Sequence, residues 1–230
     1  MTRNSVALVL AATVFAAGVP GFGAPQASNS LEAALTRMDQ TAATFKGLTA
    51  DIHRVSHTEV VDKNDIEDGN VSAKRFKPGD TRILIHVTKP EEKFYYVGGG
   101  KARLYNPKSQ EAQEADLGKS KDIVNQLMLL AFGSNSTDLK AAYTLKLAGL
   151  DSVNGEKTTR IELTPKSPDV LKYVKRCDMW ISEKGLAVQQ KFDQGSGDYV
   201  LTTYTNMKMV SNLPDPKLDI PKGIKVQKIK

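Results

Sequence analysis

The histidines are the side chains of this sequence whose type and spacing could bind a metal ion. His53 and His57 are four residues apart, a spacing that on a helix would place both imidazoles on one face as a metal pair. The surrounding alternation of apolar and polar residues predicts a strand, in which four residues span about 13 Å. We therefore expect no shared ion. His86 lies between Ile85 and Val87, and we expect it to face away from them as a solvated or hydrogen-bonded side chain.

Nothing else in the sequence has the spacing of a catalytic motif. It contains no Gly-x-Ser-x-Gly, no His-Glu-x-x-His, no phosphate loop and no cluster of Cys and His ligands. The acidic residues of the central region are expected to be solvated: Glu91, Glu92, Glu111, Glu114 and Asp116. The sequence therefore predicts a binding protein that needs no metal or cofactor. The alternative from another class is an envelope hydrolase, which would need a polar cavity with converging His or carboxylate groups.

The N-terminus has the pattern of a cleaved export signal. Arg3 precedes an apolar stretch over residues 6–19, and Gly21-Phe22-Gly23 supplies small residues at the positions that a signal peptidase recognises. We predict a signal peptide over residues 1–23 and a periplasmic chain over residues 24–230. The only cysteine, Cys177, lies far from the cleavage site, so we expect neither N-terminal lipidation nor an intramolecular disulfide.

Length and charge favour one globular domain over residues 24–230. The full chain has 230 residues and a formal charge of +6. Cleavage of the predicted signal peptide would remove Arg3 and with it one positive charge. The remaining charge is spread along the chain, whereas nucleic-acid binding normally requires a concentrated basic stripe with aromatic residues. Nucleic acid is therefore not an expected partner. The moderate positive charge is compatible with an acidic protein partner or with anionic lipid headgroups.

Short apolar segments separated by turn signals predict an antiparallel meander between Gly69 and Leu117. A helix is predicted over residues 30–45 from apolar residues at helical spacing. It is followed by a long strand region from Gly47, and a second helix is predicted from Ser120 to Phe132. The second half of this second helix is apolar on all sides, which indicates either a core helix or a cover for an apolar ligand. With the strands of the C-terminal half, the pattern predicts a mainly β (α+β) fold with about eleven strands.

Several short motifs occur in a fixed order along the chain, namely Lys74-Arg75, His86-Val87-Thr88-Lys89-Pro90, Gly100-Lys101, Leu104-Tyr105-Asn106-Pro107, Leu163-Thr164-Pro165-Lys166 and Ile220-Pro221-Lys222-Gly223-Ile224-Lys225-Val226. Together they resemble the LolA family of periplasmic lipoprotein carriers. They span most of residues 24–230. The chain departs from the family pattern where Phe76 and Lys77 separate the Lys-Arg pair from Pro78.

This resemblance implies an incomplete antiparallel β-barrel with a helical lid on its concave face. It also implies a monomeric chaperone that shields the acyl chains of lipoproteins and carries them from the inner to the outer membrane. Its expected partners are an inner-membrane lipoprotein-releasing ABC transporter and, where present, an outer-membrane lipoprotein receptor. Arg75 matches the position of the arginine that locks the lid in the family. The alternative is that Arg75 is an ordinary surface residue at a strand edge. A related protein that binds lipid or glycolipid, or senses lipoproteins, is the alternative function.

Strand alternation and the apolar second helix suggest which residues line an acyl-chain cavity. Cys177, Met179 and Ile181 share one strand face, so Trp180 is expected to face away. The alternative for every lining residue is ordinary core packing. The predicted lining residues are Ile52, Ile83, Ile85, Val87, Leu104, Leu127, Leu130, Phe132, Met179 and Ile181.

Overall fold

The computed structural model describes residues 30–77, 80–118, 123, 126–127, 130 and 132–229. The predicted signal peptide and much of the predicted second helix lie outside the described residues. Of that helix, Ile123, Gln126 and Leu127 are helical, and Leu130 and Phe132 lie in a turn. Within the described part of the chain, no helix has both the length and the apolar character needed to cross a membrane.

Two α-helices have defined bounds in the described chain, which also contains short 3-10 helices at Glu59–Val61 and Val170–Lys172. Helix α1 (Leu31–Thr44) begins at Ser30, whose hydroxyl oxygen accepts a hydrogen bond from the Ala33 amide, and it matches the prediction over residues 30–45. Helix α2 (Ser136–Ala142) begins at Asn135, whose side-chain oxygen accepts from the Asp138 amide. This second helix was not predicted, because seven residues are too few for a helical period to stand out.

Twelve strands form one sheet. Their bounds are β1 (Gly47–Thr58), β2 (Lys63–Lys77), β3 (Asp80–Lys89), β4 (Lys93–Gly98), β5 (Lys101–Asn106), β6 (Glu111–Asp116), β7 (Tyr143–Val153), β8 (Glu156–Pro165), β9 (Arg176–Ser182), β10 (Ala187–Gly195), β11 (Asp198–Met209) and β12 (Val226–Ile229). The first half of β2 is polar and has little strand propensity, yet it pairs in continuous register with β1. Pairing with a neighbouring strand therefore decides its conformation.

The spatial order of the strands is β12-β6-β5-β4-β3-β2-β1-β11-β10-β9-β8-β7. All neighbours are antiparallel except β12 and β6, which are parallel. Because β12 and β7 are edges that do not pair with each other, the sheet is unclosed. The predicted fold class, an incomplete antiparallel barrel with helices covering one face, is confirmed.

The two faces of the sheet have different covers. The inner face packs against α1 and the described residues near position 130, through clusters that contain Leu35, Met38 and Phe132. The outer face packs partly against the C-terminal segment, which contributes Leu218. Trp180 lies on this outer face as predicted, and its indole N–H donates to the Asp151 carboxylate at 2.8 Å.

Candidate functional site

Helix α1 is fixed to the rim of the sheet by polar contacts. Thr41 donates its hydroxyl to the Lys184 carbonyl oxygen at 2.6 Å, and Arg37 donates to the Thr159 hydroxyl oxygen at 3.0 Å. Gly185 has a φ of +73°, and a Cβ built there would lie 2.2 Å from the Arg37 carbonyl oxygen. The β9–β10 turn therefore approaches the helix backbone more closely than any side chain allows.

A second covering element lies over the sheet, namely the described residues between 123 and 133, called here the lid segment. Within the described part of the chain, three side chains each donate a hydrogen bond to one of its backbone carbonyls. The Tyr143 hydroxyl donates to Gln126 at 2.7 Å, the Gln190 amide donates to Leu130, and the Arg75 guanidinium donates to Gly133. Because the acceptors are backbone atoms, these contacts fix the position of the segment with little dependence on its side chains.

Arg75 also connects the lid segment to α1. A second guanidinium nitrogen donates to the Ala42 carbonyl oxygen at 2.9 Å, and the guanidinium carbon lies 5.0 Å from the centre of the Phe45 ring. Burial lowers the pKa of Arg75 from its ordinary value, and the Asp138 carboxylate opposes this effect. The geometry is that of an arginine which fastens two covering elements together, although its proposed role as a lid lock stays a prediction.

Gln190 is a second fastening residue, and the sequence analysis did not identify it. Its side chain is 2 % exposed, and its amide oxygen accepts from the Tyr204 hydroxyl at 3.1 Å. Phe132 packs edge-on against the Tyr204 ring, with centroids 4.9 Å apart. Burial raises the pKa of Tyr204 and of Tyr143, so both phenols keep the proton that they donate. The sequence feature that could have identified Gln190 is strand alternation, which places it on the same face as Phe192.

The lid segment and α1 pack against one half of the inner face. Met179, Ile181 and Leu130 are at most 1 % exposed and share a cluster with α1, with Leu127 partly buried beside them. The buried side chains of Ile52 and Phe132 belong to the neighbouring cluster. In this half, the predicted lining residues Met179, Ile181, Leu130, Ile52 and Phe132 lie buried together against α1 and the lid segment.

The other half of the inner face is partly exposed. In the register of strands β3 to β6, one row contains Ile83, Val97, Ala102 and Ala115, and the next row contains Ile85, Tyr95 and Leu104. All seven side chains are half-buried, and we call them the apolar strip. It contains three of the predicted lining residues, whereas Val87, in the following row, is fully buried.

The histidines lie on strands, as the alternation predicted. His53 contacts Asp68 at 2.7 Å, His57 contacts Asn64 and Glu59, and His86 contacts Glu92 at 2.9 Å. Each ring thus has its own neighbours, and no group of three or more potential metal ligands occurs within the described ranges.

The expectation of a solvated carboxylate is wrong for Glu114. Its side chain is only 14 % exposed, and it accepts hydrogen bonds from Lys101 at 2.8 Å and from Arg103 at 2.7 Å. Antiparallel pairing of β5 with β6 brings these partners together, so the cluster could not be deduced from local sequence alone.

No family model and no curated protein matches this sequence. Solved structures match its fold. A conserved protein from Thermus thermophilus, described as uncharacterised, has a TM-score of 0.54 at 12 % identity, covering 86 % of this chain and 98 % of that one. MucB has a TM-score of 0.50 at 10 % identity over 85 % of this chain, which spans 64 % of MucB and thus less than two thirds of it. MucB has also been solved in complex with MucA, in one case from Pseudomonas aeruginosa.

A LolA superfamily protein from Nitrosomonas europaea is also similar, with a TM-score of 0.39 at 14 % identity, covering 80 % of this chain and 94 % of that one. At sequence identities this low, the similarity to these structures shows a shared fold and nothing about function. The unclosed antiparallel sheet with helices over its inner face is the architecture that the sequence resemblance implied.

Proposed function

We propose that this protein is a periplasmic carrier for acylated lipoproteins. In this proposal the apolar strip binds acyl chains, and displacement of the lid segment extends the binding surface across the buried half of the inner face. The observation that carries the proposal is the uneven cover of one apolar face: one half is buried beneath α1 and the lid segment, whereas the apolar strip on the other half is only half-buried. A contiguous, partly exposed apolar surface of this kind is typical of a binding site.

The energies involved are compatible with loading and release. Burying a methylene group contributes about 0.8 kcal/mol, so a chain of about fourteen methylenes corresponds to about 11 kcal/mol. Each hydrogen bond to the lid segment contributes about 0.5–1.5 kcal/mol net, or somewhat more for the charged Arg75. The hydrogen bonds are thus a small part of the cost of opening the lid segment, and the larger part, exposure of Leu130 and Phe132, is offset when an acyl chain packs against them. The carrier itself needs no cofactor and performs no covalent step.

The proposed partners follow from the family resemblance. An inner-membrane ABC transporter would supply the energy that extracts the lipoprotein, and an outer-membrane receptor, where present, would accept it. The signal peptide over residues 1–23 would direct the chain to the periplasm, where this exchange takes place.

The test is binding of a triacylated lipoprotein, measured by native mass spectrometry on protein purified from the periplasm of its own host. The same lipoprotein without its acyl chains is the ligand control. Leu104→Asp places a charge in the apolar strip and should abolish binding, whereas Leu150→Asp changes a residue that is 60 % exposed and should leave binding intact. Equal binding of both lipoprotein forms would contradict the proposal. A co-purifying free lipid or glycolipid would favour the related lipid-binding function instead.

A further inference from the structure

Three charged side chains lie on the inner face next to the apolar strip. Arg54 continues the inward alternation of Ala50 and Ile52 along β1, and its register partner on β2 is Glu67. Lys93 precedes Tyr95 by two residues on β4 and therefore shares its face. All three are partly buried, with side-chain exposures of 21 %, 14 % and 28 % for Arg54, Glu67 and Lys93.

The cluster carries a net positive charge, because two cations face one carboxylate. Arg54 donates from two nitrogens to the same oxygen of Glu67, one of them at 2.9 Å. The Lys93 ammonium lies 3.6 Å from the other Glu67 oxygen, beyond ordinary hydrogen-bond distance. Two cations thus share one carboxylate, and no described residue accepts a hydrogen bond from Lys93. The net positive charge of this cluster would attract a further anion, and its partial burial strengthens that attraction.

The cluster is also continuous with the apolar strip. The Arg54 guanidinium carbon lies 5.0 Å from the centre of the Tyr95 ring, and Tyr95 belongs to the strip. Along β2, the row of Glu67 lies at one end of the strip and Arg75 lies at the other. An extended amphiphile lying on the strip can therefore place a charged head at Arg54 and Lys93 while its chain runs toward the lid segment.

We propose that Arg54 and Lys93 form an anion-binding subsite beside the apolar strip, so that among amphiphiles the strip prefers those with a carboxylate or phosphate head. This inference rests on the proposed carrier function and names the chemistry of the molecules that the same surface selects. Glu67 holds the two cations apart from each other and limits the affinity of the site for anions.

The test is displacement of the neutral apolar fluorophore N-phenyl-1-naphthylamine from the mature chain by amphiphiles with the same sixteen-carbon chain. Palmitate and palmitoyl-lysophosphatidylglycerol are anionic, and monopalmitoylglycerol is neutral. We expect the anionic ligands to bind about tenfold more tightly, because one hydrogen bond to a charged group is worth about that factor. Lys93→Gln should remove most of this preference, and Glu67→Gln should increase it. Lys108→Gln is the matched control, since Lys108 makes a similar 3.5 Å contact with Glu91 outside the strip.

The outcomes separate the anion-binding subsite from the carrier function. Equal binding of palmitate and monopalmitoylglycerol, or a preference that neither variant changes, would overturn the anion-binding subsite and leave the carrier function standing. Competition by millimolar inorganic phosphate against palmitate would show a small-anion site and overturn the assignment to amphiphiles. Failure of every amphiphile to displace the probe, together with failure to bind triacylated lipoprotein, would overturn the carrier function itself.

Discussion

Arg75 donates a 2.9 Å hydrogen bond to the carbonyl oxygen of Ala42 in the last turn of α1. The same guanidinium donates to Gly133 in the lid segment, so one side chain from β2 joins both elements that cover the inner face. Helix α1 has further contacts with β8 and the β9–β10 turn, whereas the lid segment is attached to the sheet through Arg75, Gln190 and Tyr143. Displacement of the lid segment therefore requires that these three contacts break.

Arg75→Leu should leave the fold intact but impair release of a bound lipoprotein. The hydrogen bonds of Arg75 favour the closed lid and thus oppose bound acyl chains, and their loss removes part of the driving force for release. Two hydrogen bonds from a charged group predict a decrease of about tenfold or more in the rate of transfer from donor to acceptor membranes. Lys74→Gln is the control, because the neighbouring Lys74 pairs with Asp215 on the outer face. Normal transfer by the Arg75 variant would exclude Arg75 from the mechanism.

Cys177 should report lid opening directly. It is fully buried in the cluster that contains Leu130, and burial raises the pKa of its thiol, so alkylation requires exposure of the inner face. We expect slow reaction with maleimide in the native protein and about tenfold faster reaction in Arg75→Leu, with both proteins equally folded by circular dichroism. Lys74→Gln should react as slowly as the unchanged protein. Identical rates in all three proteins would show that Arg75 does not control access to the sheet.

Gln190→Leu should loosen the lid segment without disturbing the strand. Leucine fills a similar volume but leaves the Leu130 carbonyl without its donor, which costs about 1–3 kcal/mol in a buried site. Tyr204→Phe removes the hydroxyl that donates to Gln190 and should cost less, about 1 kcal/mol. Urea unfolding measures both changes. If Gln190 and Tyr204 act together, the double variant should be destabilised by less than the sum of the single variants, and strict additivity would contradict this coupling.

The sequence predicted the strands, α1 and the inner face well, because these depend on local alternation and helical spacing. Leu48, Ala50 and Ile52 alternate with polar residues in sequence, and the structure places them in one inner cluster. The polar start of β2 was not predicted, since its strand conformation comes from pairing with β1. Local propensity could not supply that information.

The candidate site was predictable only in part. Ile83, Ile85 and Leu104 were expected to share one apolar surface, and they share the apolar strip. The residues that hold the lid segment could not be predicted in this way, because Gln190 and Tyr143 donate to carbonyl oxygens that are distant in the sequence. The separation between Gln190 and Leu130 is sixty positions in the chain, and no spacing rule connects them. Arg75 was identified through family resemblance rather than from its neighbours.

Gly185→Ala should displace α1 from the β9–β10 turn. The positive φ of Gly185 disfavours any other residue, and an added methyl group would overlap the Arg37 carbonyl. We expect a loss of about 2 kcal/mol or more in the free energy of unfolding, since both backbone strain and a steric clash contribute. Gly155→Ala, at a similar φ but with open space around it, is the control for strain alone. Equal destabilisation by the two substitutions would show that close approach to α1 is not important.

Glu114 should make stability depend on pH in the acid range. Its hydrogen bonds from Lys101 and then from Arg103 hold the pKa of its carboxyl below the ordinary value of 4.5. A lowered carboxyl pKa in the folded state stabilises the protein above pH 4.5, and this stabilisation is lost as the pH falls through the lowered value. Glu114→Gln should therefore cost about 1 kcal/mol at pH 7 and progressively less below pH 4.5, measured by urea unfolding. Glu183→Gln, in the exposed β9–β10 turn, should have no such effect. A loss in Glu114→Gln that is the same at pH 7 and pH 3 would show that packing, rather than charge, explains the contribution of this residue.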